Sequence, residues 1–262
     1  MMLNNFAGGY CMTYVLSDIH GHKRRFDSVM EQIHLRADDT LFILGDVIDR
    51  NPDGINILRQ LMAMPNVKML LGNHELLMLN ALYEPYSEYA ARNGKTREQC
   101  LALWYKNGGE VTHNHLKHLR KTLREEIFTY LAGLPVNERS DIDGRSYLLT
   151  HAAPVELYVP CLRYPCARDF AVWYRFLGAE RNPCDYTVIF GHTGTHHYQQ
   201  DNPMKIWYGE GLIGIDCGAS YPDGGNPRNG RIGRLSCLRL DDMMEFYSEE
   251  IIDTIHDRPQ KI

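Results

Sequence analysis

The sequence has no apolar run approaching the roughly 20 residues that a membrane-spanning helix needs. Its first twelve residues lack the basic start and long apolar stretch of a secretion signal. It has no Cys-x-x-Cys pair; seven cysteines, an odd number, are scattered at Cys11, Cys100, Cys161, Cys166, Cys184, Cys217 and Cys237. A chain of 262 residues needs no disulfide staples, so free thiols in a reducing compartment, the cytoplasm, are the expected state. None of these cysteines stands in an activated setting, which sets aside a thiol nucleophile. There is no internal repeat and no low-complexity tract. Nor is there an excess of basic charge: the formal net charge of −5 argues against a nucleic-acid binder. Gly8-Gly9 reads as a leader with no phosphate-binding context.

What is present suffices for a folded core, since 44% of residues are hydrophobic and only 23% charged. We read residues 1–262 as a single catalytic domain. An apolar strand at Tyr14–Leu16 leads to helical spacing over 22–34, with Phe26, Val29, Met30 and Ile33 on one face. A second strand, 40–44, is followed by a helix opened by Asn51-Pro52-Asp53-Gly54, and a third strand spans 67–71. This βαβαβ start predicts a mainly parallel, layered α/β architecture. From Leu76 to about Leu134, Leu79, Leu82, Cys100, Trp104, Leu116, Leu123, Ile127 and Leu131 recur at helical intervals, with turns at Asn93-Gly94 and Asn107-Gly108-Gly109. The expectation is a helical insertion after the third strand. Strands then return at 146–150, 187–191, 212–216, 234–240 and 244–247, and a proline-bounded loop at 154–165 suits a cover over a cleft.

The chemistry is concentrated where these strands end. Ser17-Asp18-Ile19-His20, Gly45-Asp46-Val47-Ile48-Asp49-Arg50 and Gly72-Asn73-His74-Glu75 each follow an apolar run, at intervals of one strand-helix-strand unit. Thr150-His151 and Gly191-His192 follow two later runs. Open α/β sheets place their sites at the carboxyl ends of strands. Taken singly, each block is a common turn; five in order form a donor set. Carboxylate, amide and imidazole donors together suit Mn²⁺, Fe or Zn²⁺. Phosphate-ester hydrolysis is slow because an anionic centre repels its nucleophile, and two divalent cations sharing a hydroxide overcome this. Asp46 is the candidate bridge. Asp18 and His20, alternating along an extended end, suit the first cation; Asn73, His151 and His192 suit the second. His74 fits a general acid, Asp49 can hold its ring and tautomer, and Arg50 can grip phosphate oxygens.

These blocks resemble the calcineurin-like metallophosphoesterase superfamily: D-x-H, G-D-x-x-[DE]-R, G-N-H-[DE], H and G-H. Within it they are similar to serine/threonine protein phosphatases of the bacterial and phage type, over roughly residues 13–220. The resemblance implies a β-sandwich flanked by helices and the same metal ligands, Asp18, His20, Asp46, Asn73, His151 and His192. It makes His74 with Asp49 the acid dyad. Trp173-Tyr174-Arg175 matches a W-x-R element, which makes Arg175 a second phosphate-binding arginine, with Arg163 and Arg168 as neighbours able to reach the same cleft. Ile215-Asp216-Cys217-Gly218 matches the following strand and turn. The sequence departs at Asn51, where a glycine is usual.

The activity implied is a metal-dependent phosphomonoesterase acting on phosphoserine or phosphothreonine, or on a small phosphoester, with direct attack by the shared hydroxide. The alternatives are a dinucleoside polyphosphate hydrolase of the diadenosine tetraphosphatase type and, behind it, a non-catalytic phospho-ligand binding module. Neither a nucleic acid nor a membrane is an expected partner. His113, His115 and His118, beside Lys117, Arg120 and Lys121, read as a solvated basic helix face. His196-His197 reads as a polar surface loop. Tyr158, Tyr164, Trp173 and Tyr174 read as packing around the cleft.

Overall fold

The structure is a computed structural model and describes residues 11–86, 94–161, 163–178, 180–223, 225 and 230–249. The Gly8-Gly9 leader and Asn93 lie outside the described residues. Strands β1 (Thr13–Leu16), β2 (Thr40–Ile43) and β3 (Val67–Met69) run parallel, joined by helices α1 (Lys23–Ile33) and α2 (Gly54–Met62). Their sheet is completed by β9 (Ser236–Arg239) and β10 (Met244–Tyr247), in the order β10-β9-β1-β2-β3. A second sheet has the order β4-β5-β6-β8-β7, from β4 (Asn137–Ile142), β5 (Arg145–Thr150), β6 (Thr187–Phe190), β7 (Trp207–Tyr208) and β8 (Leu212–Gly214). This is the expected mixed α/β sandwich flanked by helices. It is less parallel than the βαβαβ start suggests, because β9–β10, β1–β9, β4–β5 and β7–β8 pair antiparallel.

Alternation along the strands decides which layer each side chain enters. Val15 and Phe42 point between the sheets, with Leu149, Ile189, Ile213 and Leu238, while their neighbours Leu16, Leu41 and Ile43 pack outward against Phe26, Val29 and Leu58. The outer face of the second sheet carries Leu148, Val188 and Phe190. It is covered by Tyr164, Phe170 and Phe176, with Tyr158, Trp173 and Tyr174 against them.

Among the described residues, α3 (Asn73–Leu82), α4 (Arg97–Lys106), α5 (Glu110–Lys117) and α6 (Lys121–Ala132) lie between β3 and β4, where the helical insertion is expected. Thr96 caps α4 and forms a reciprocal pair with Gln99, which satisfies two orphan amides of its first turn. Leu79, Cys100, Trp104, Leu116, Ile127 and Leu131 bury against the α-side of the first sheet. Helix α2 begins at Gly54, after Pro52 rather than around it. The hairpin β4–β5 escapes a reading based on apolar runs, since β4 is the polar edge stretch Asn-Glu-Arg-Ser-Asp-Ile. Its signal is the turn Asp143-Gly144, both residues at positive φ (49° and 75°) as a two-residue hairpin loop requires.

Candidate metal centre and acid dyad

Five strands from the two sheets end beside one another, and the loops leaving them carry the site. The expectation that Asp18 and His20 alternate on an extended end is corrected: β1 stops at Leu16, and both residues adopt left-handed backbone, with φ of 56° and 48°. Nine non-glycine residues have positive φ among the described residues, and six are Asp18, His20, Asp46, Asp49, Arg50 and His192. Such conformations cost on the order of 1 kcal/mol each and persist only where surroundings impose them. Here amides lock the loops together: His20 donates to the Asp46 carbonyl (2.9 Å), Gly21 to Val47 (2.8 Å) and Asp18 to Gly45 (3.2 Å). Asn51 adds a side-chain bond from Nδ2 to the His20 carbonyl (3.0 Å), so the residue standing where glycine is usual ties the first loop to the second.

Asp46 sits at the centre. Its Oδ2 lies 3.6 Å from His20 Nε2, 3.5 Å from His151 Nε2 and 3.8 Å from His74 Nε2. Its Oδ1 accepts from the His74 amide at 2.9 Å. Two groups of donor atoms, His20-Asp46-His74 and Asp46-His151-His192, each fall within 4.8 Å, and all these residues are buried. Asp18 Oδ1 stands 3.8 Å from His20 Nε2, and Asn73 Oδ1 lies 2.9 Å from His151 Nε2. The structure therefore brings together Asp18, His20, Asp46, Asn73, His151 and His192. The outward ring nitrogens are spoken for: His20 Nδ1 meets the Ile48 carbonyl (3.1 Å) and His151 Nδ1 the Leu44 carbonyl (2.7 Å). Those contacts fix each tautomer so that Nε2 presents its lone pair to the cluster.

The electrostatics fit bound cations. Burial holds the imidazoles of His20, His151 and His192 below their usual range, so they are neutral donors near neutral pH. His192 Nε2 is buried without a hydrogen-bond partner, which an electrophile would supply. Burial, reinforced by the nearby charges of Asp18 and Glu75, pushes the Asp46 carboxyl well up. Several buried carboxylates with neutral imidazoles form a nest short of positive charge, and divalent cations would relieve that deficit.

Beside this nest, His74 Nδ1 donates to Asp49 Oδ2 at 2.7 Å, and Arg50 Nη2 donates to His74 Nε2 at 3.1 Å. Asp49 is fully buried, and its Oδ2 also accepts from Trp104 Nε1 at 2.8 Å. Arg50 Nη1 reaches Ser220 Oγ (2.9 Å). Arg175 is placed differently from Arg50, with Nη1 donating to the His192 carbonyl and to Thr193 Oγ1, both at 3.0 Å. Of its neighbours, Arg163 lies over the Tyr164 ring and Arg168 over that of Tyr86.

The sequence places Glu75 and Asp216 within motif blocks and Trp104 at helical spacing without a task at the site, and it does not single out Thr112 or Ser220. Glu75 spans the site from beneath, accepting from the amides of Asp46 (2.8 Å), Val47 (2.9 Å) and Ile48 (3.3 Å). Its position in the first turn of the helix that opens with Asn73-His74 is the available clue. Lost hydration and the neighbouring Asp18 charge push Asp216 up to about 7. Two bland readings also change. His113 is half-buried rather than solvated: its ring lies against Trp104 (5.6 Å) and its Nδ1 meets the Tyr105 hydroxyl (2.5 Å). Lys117, His118, Arg120 and Lys121 are exposed as expected. His196 is half-buried rather than part of a polar surface, and burial, with His197 and Arg231 nearby, lowers it to about 4.

Known proteins share this arrangement to different depths. Over 69 residues the chain is 38% identical to the symmetrical bis(5'-nucleosyl)-tetraphosphatase of Erwinia tasmaniensis, and 36% identical to that of Proteus mirabilis. Each match covers 26% of this chain and 25% of the relative, so the chain spans about a quarter of the length of the curated relatives it matches. A protein serine/threonine phosphatase from Saccharomyces cerevisiae superposes with a TM-score of 0.55 at 13% identity, covering 94% of this chain and 82% of that one. A metallophosphoesterase from Sphaerobacter thermophilus does so at 0.50 and 18% identity, covering 91% and 89%. These superpositions show a shared fold. The family model for calcineurin-like phosphoesterases matches residues 12–213, from β1 to β8 and through every strand-end block described above, and the chain belongs to that family of hydrolytic enzymes.

Proposed function

We propose that the chain is a metal-dependent phosphomonoesterase of the serine/threonine protein phosphatase type. Asp18, His20 and Asp46 would hold one divalent cation, and Asp46, Asn73, His151 and His192 the other, with Mn²⁺ the preferred ion and Fe or Zn²⁺ alternatives. When bound, such a pair neutralises phosphate charge and supplies hydroxide at neutral pH. The observation that carries the reading is the line Asp49–His74–Arg50 beside Asp46.

That line performs two tasks. Asp49 fixes the His74 ring with Nδ1 as donor, so only Nε2 faces the reaction. Arg50 occupies Nε2 at 3.1 Å in the structure. A phosphate would draw the guanidinium onto its own oxygens and release Nε2 to carry the proton that the departing alkoxide takes. A guanidinium donating to Nε2 also uses the lone pair a cation would need, which supports His74 as acid rather than ligand. Arg175, held at the His192 carbonyl, would add a second positive charge at the equatorial oxygens.

A serine or threonine alkoxide departs poorly and needs this proton, whereas a nucleotide departs as a phosphate anion that needs it less. A complete acid dyad therefore favours an alcohol ester. The 38% identity to a symmetrical bis(5'-nucleosyl)-tetraphosphatase supports a second reading, cleavage of a dinucleoside polyphosphate. All seven cysteines are free, which fits a reducing compartment such as the cytoplasm. Among the described residues no helix is long and apolar enough to cross a membrane.

The test is turnover by metal-stripped protein reloaded with Mn²⁺, on a phosphoserine peptide, a phosphotyrosine peptide and diadenosine tetraphosphate in parallel. Mn²⁺-dependent phosphate release from the phosphoserine peptide is expected. Selective cleavage of the dinucleotide would replace the first reading with the second.

A further inference from the structure

The helical insertion reaches the acid dyad at three points, from the end of α4, the connecting turn and the start of α5. Trp104 Nε1 donates to Asp49 Oδ2 at 2.8 Å, Thr112 Oγ1 accepts from the Asp49 amide at 3.0 Å, and the Gly108 carbonyl accepts from the Arg50 amide at 3.1 Å. The residues so gripped are two of the left-handed residues on this loop, with φ of 71° at Asp49 and 69° at Arg50. Trp104 is fully buried, and Gly109 lies flush against its indole, where a Cβ would collide with Nε1 and Cδ1. The indole therefore has one seat, and its single donor has one target.

We propose that Trp104 is a positioning residue for the acid step, which makes the insertion part of the reaction machinery rather than only a cover over the core. The proposal rests on the reading of His74 as general acid. Asp49 Oδ2 takes both the His74 and the Trp104 donors, while Oδ1 is buried without a partner. An Asp side chain anchored by one oxygen can turn about its last torsion, and that rotation would swing the acceptor away from the imidazole. The second donor on Oδ2 opposes the rotation. The indole N–H thus fixes the carboxylate, the carboxylate fixes the ring, and Nε2 is aimed at the leaving oxygen.

The readout is the dependence of kcat on the leaving group. Loss of an aimed acid slows departure of poor leaving groups and spares good ones. The deciding protein carries benzothienylalanine at position 104, which keeps the bicyclic shape and replaces the N–H with sulfur; W104F is the accessible companion. With Mn²⁺ loaded, kcat on phenyl phosphate should fall by on the order of tenfold, and kcat on 2,4-dinitrophenyl phosphate should change little. KM and bound Mn²⁺ should hold. H74N should show the same pattern more strongly, and Leu116→Ala, a buried packing change elsewhere in the insertion, should lower stability without it. Equal losses on both esters, or no loss, in the benzothienylalanine protein while H74N discriminates would overturn the role of Trp104 alone. If H74N does not discriminate, the acid reading itself falls and the proposal with it.

Discussion

Glu75 holds the backbone of Asp46 rather than any cation: its Oε2 accepts the Asp46 amide at 2.8 Å, while Oε1 takes the next two amides, Val47 and Ile48. A carboxylate thereby shapes the loop that presents Asp46, the proposed bridging ligand. Its own burial raises its carboxyl above the usual range, a cost that the amide bonds oppose. Gly72 makes this approach possible, because a Cβ there would collide with the Asp46 carboxylate and with Glu75 Oε2.

Glu75→Ala should therefore be among the more damaging single changes. It strands three buried amides at about 1 kcal/mol or more each, and should lower Tm by roughly 10 °C for a domain of this size. Bound metal per chain should fall with it. Glu75→Gln should also weaken the site, since its amide group turns a donor toward the backbone donors. Thermal unfolding with metal analysis by mass spectrometry checks both, and an unchanged Tm in the alanine variant would contradict the assigned role.

Arg50→Ala should lower kcat/KM on a phosphomonoester by about a hundredfold, equivalent to a little under 3 kcal/mol of transition-state binding. Competitive inhibition by inorganic phosphate should weaken in parallel. Ser220→Ala, which only frees the guanidinium from its 2.9 Å tether, should cost a few-fold at most. Equal effects of the two substitutions would mean that the tether, not the charge, matters.

Gly191→Ala is predicted to disturb the first cation position while leaving most of the chain folded. A Cβ there would strike the Ser17 hydroxyl and the Asp18 carboxylate, whose Oδ2 accepts the His192 amide at 2.8 Å. The measurement is metal stoichiometry at fixed Mn²⁺, expected to fall toward one per chain. Retention of two ions would show that the loop yields instead.

Cation loading should release a proton. The Asp46 carboxyl is raised by burial and like charges, so in the metal-free folded protein it keeps its proton above pH 4, the usual carboxylate value. A cation must expel that proton, so Mn²⁺ affinity should climb as pH rises above the usual carboxylate range until the raised value is passed, and be flat beyond it. The buried histidines are held below their usual value by burial, so they are already neutral in the folded state at neutral pH and should add no release there. Titration calorimetry in two buffers of different ionisation heat measures the release directly; no release at any pH above the usual carboxylate range would refute the assignment.

What the sequence determined was the ladder of strands and the polar blocks at their ends. Apolar runs such as Leu41–Leu44 and Val188–Phe190 bury on one or both sheet faces, and burial leaves a periodic trace in composition. The clustering of Asp18, His20, Asp46, Asn73, His151 and His192 was legible for a related reason: their residue types recur at strand ends at intervals set by the strand-helix-strand unit. Only the tertiary structure decided the rest. The left-handed turns at Asp18, Asp46 and Asp49 follow from amide bonds to loops 25 or more residues away, which no local pattern encodes. The bonds from Trp104 and Thr112 to Asp49 cross 55 and 63 residues. In the sequence Trp104 is one more apolar residue at helical spacing; a single N–H, aimed by packing, gives it a different task.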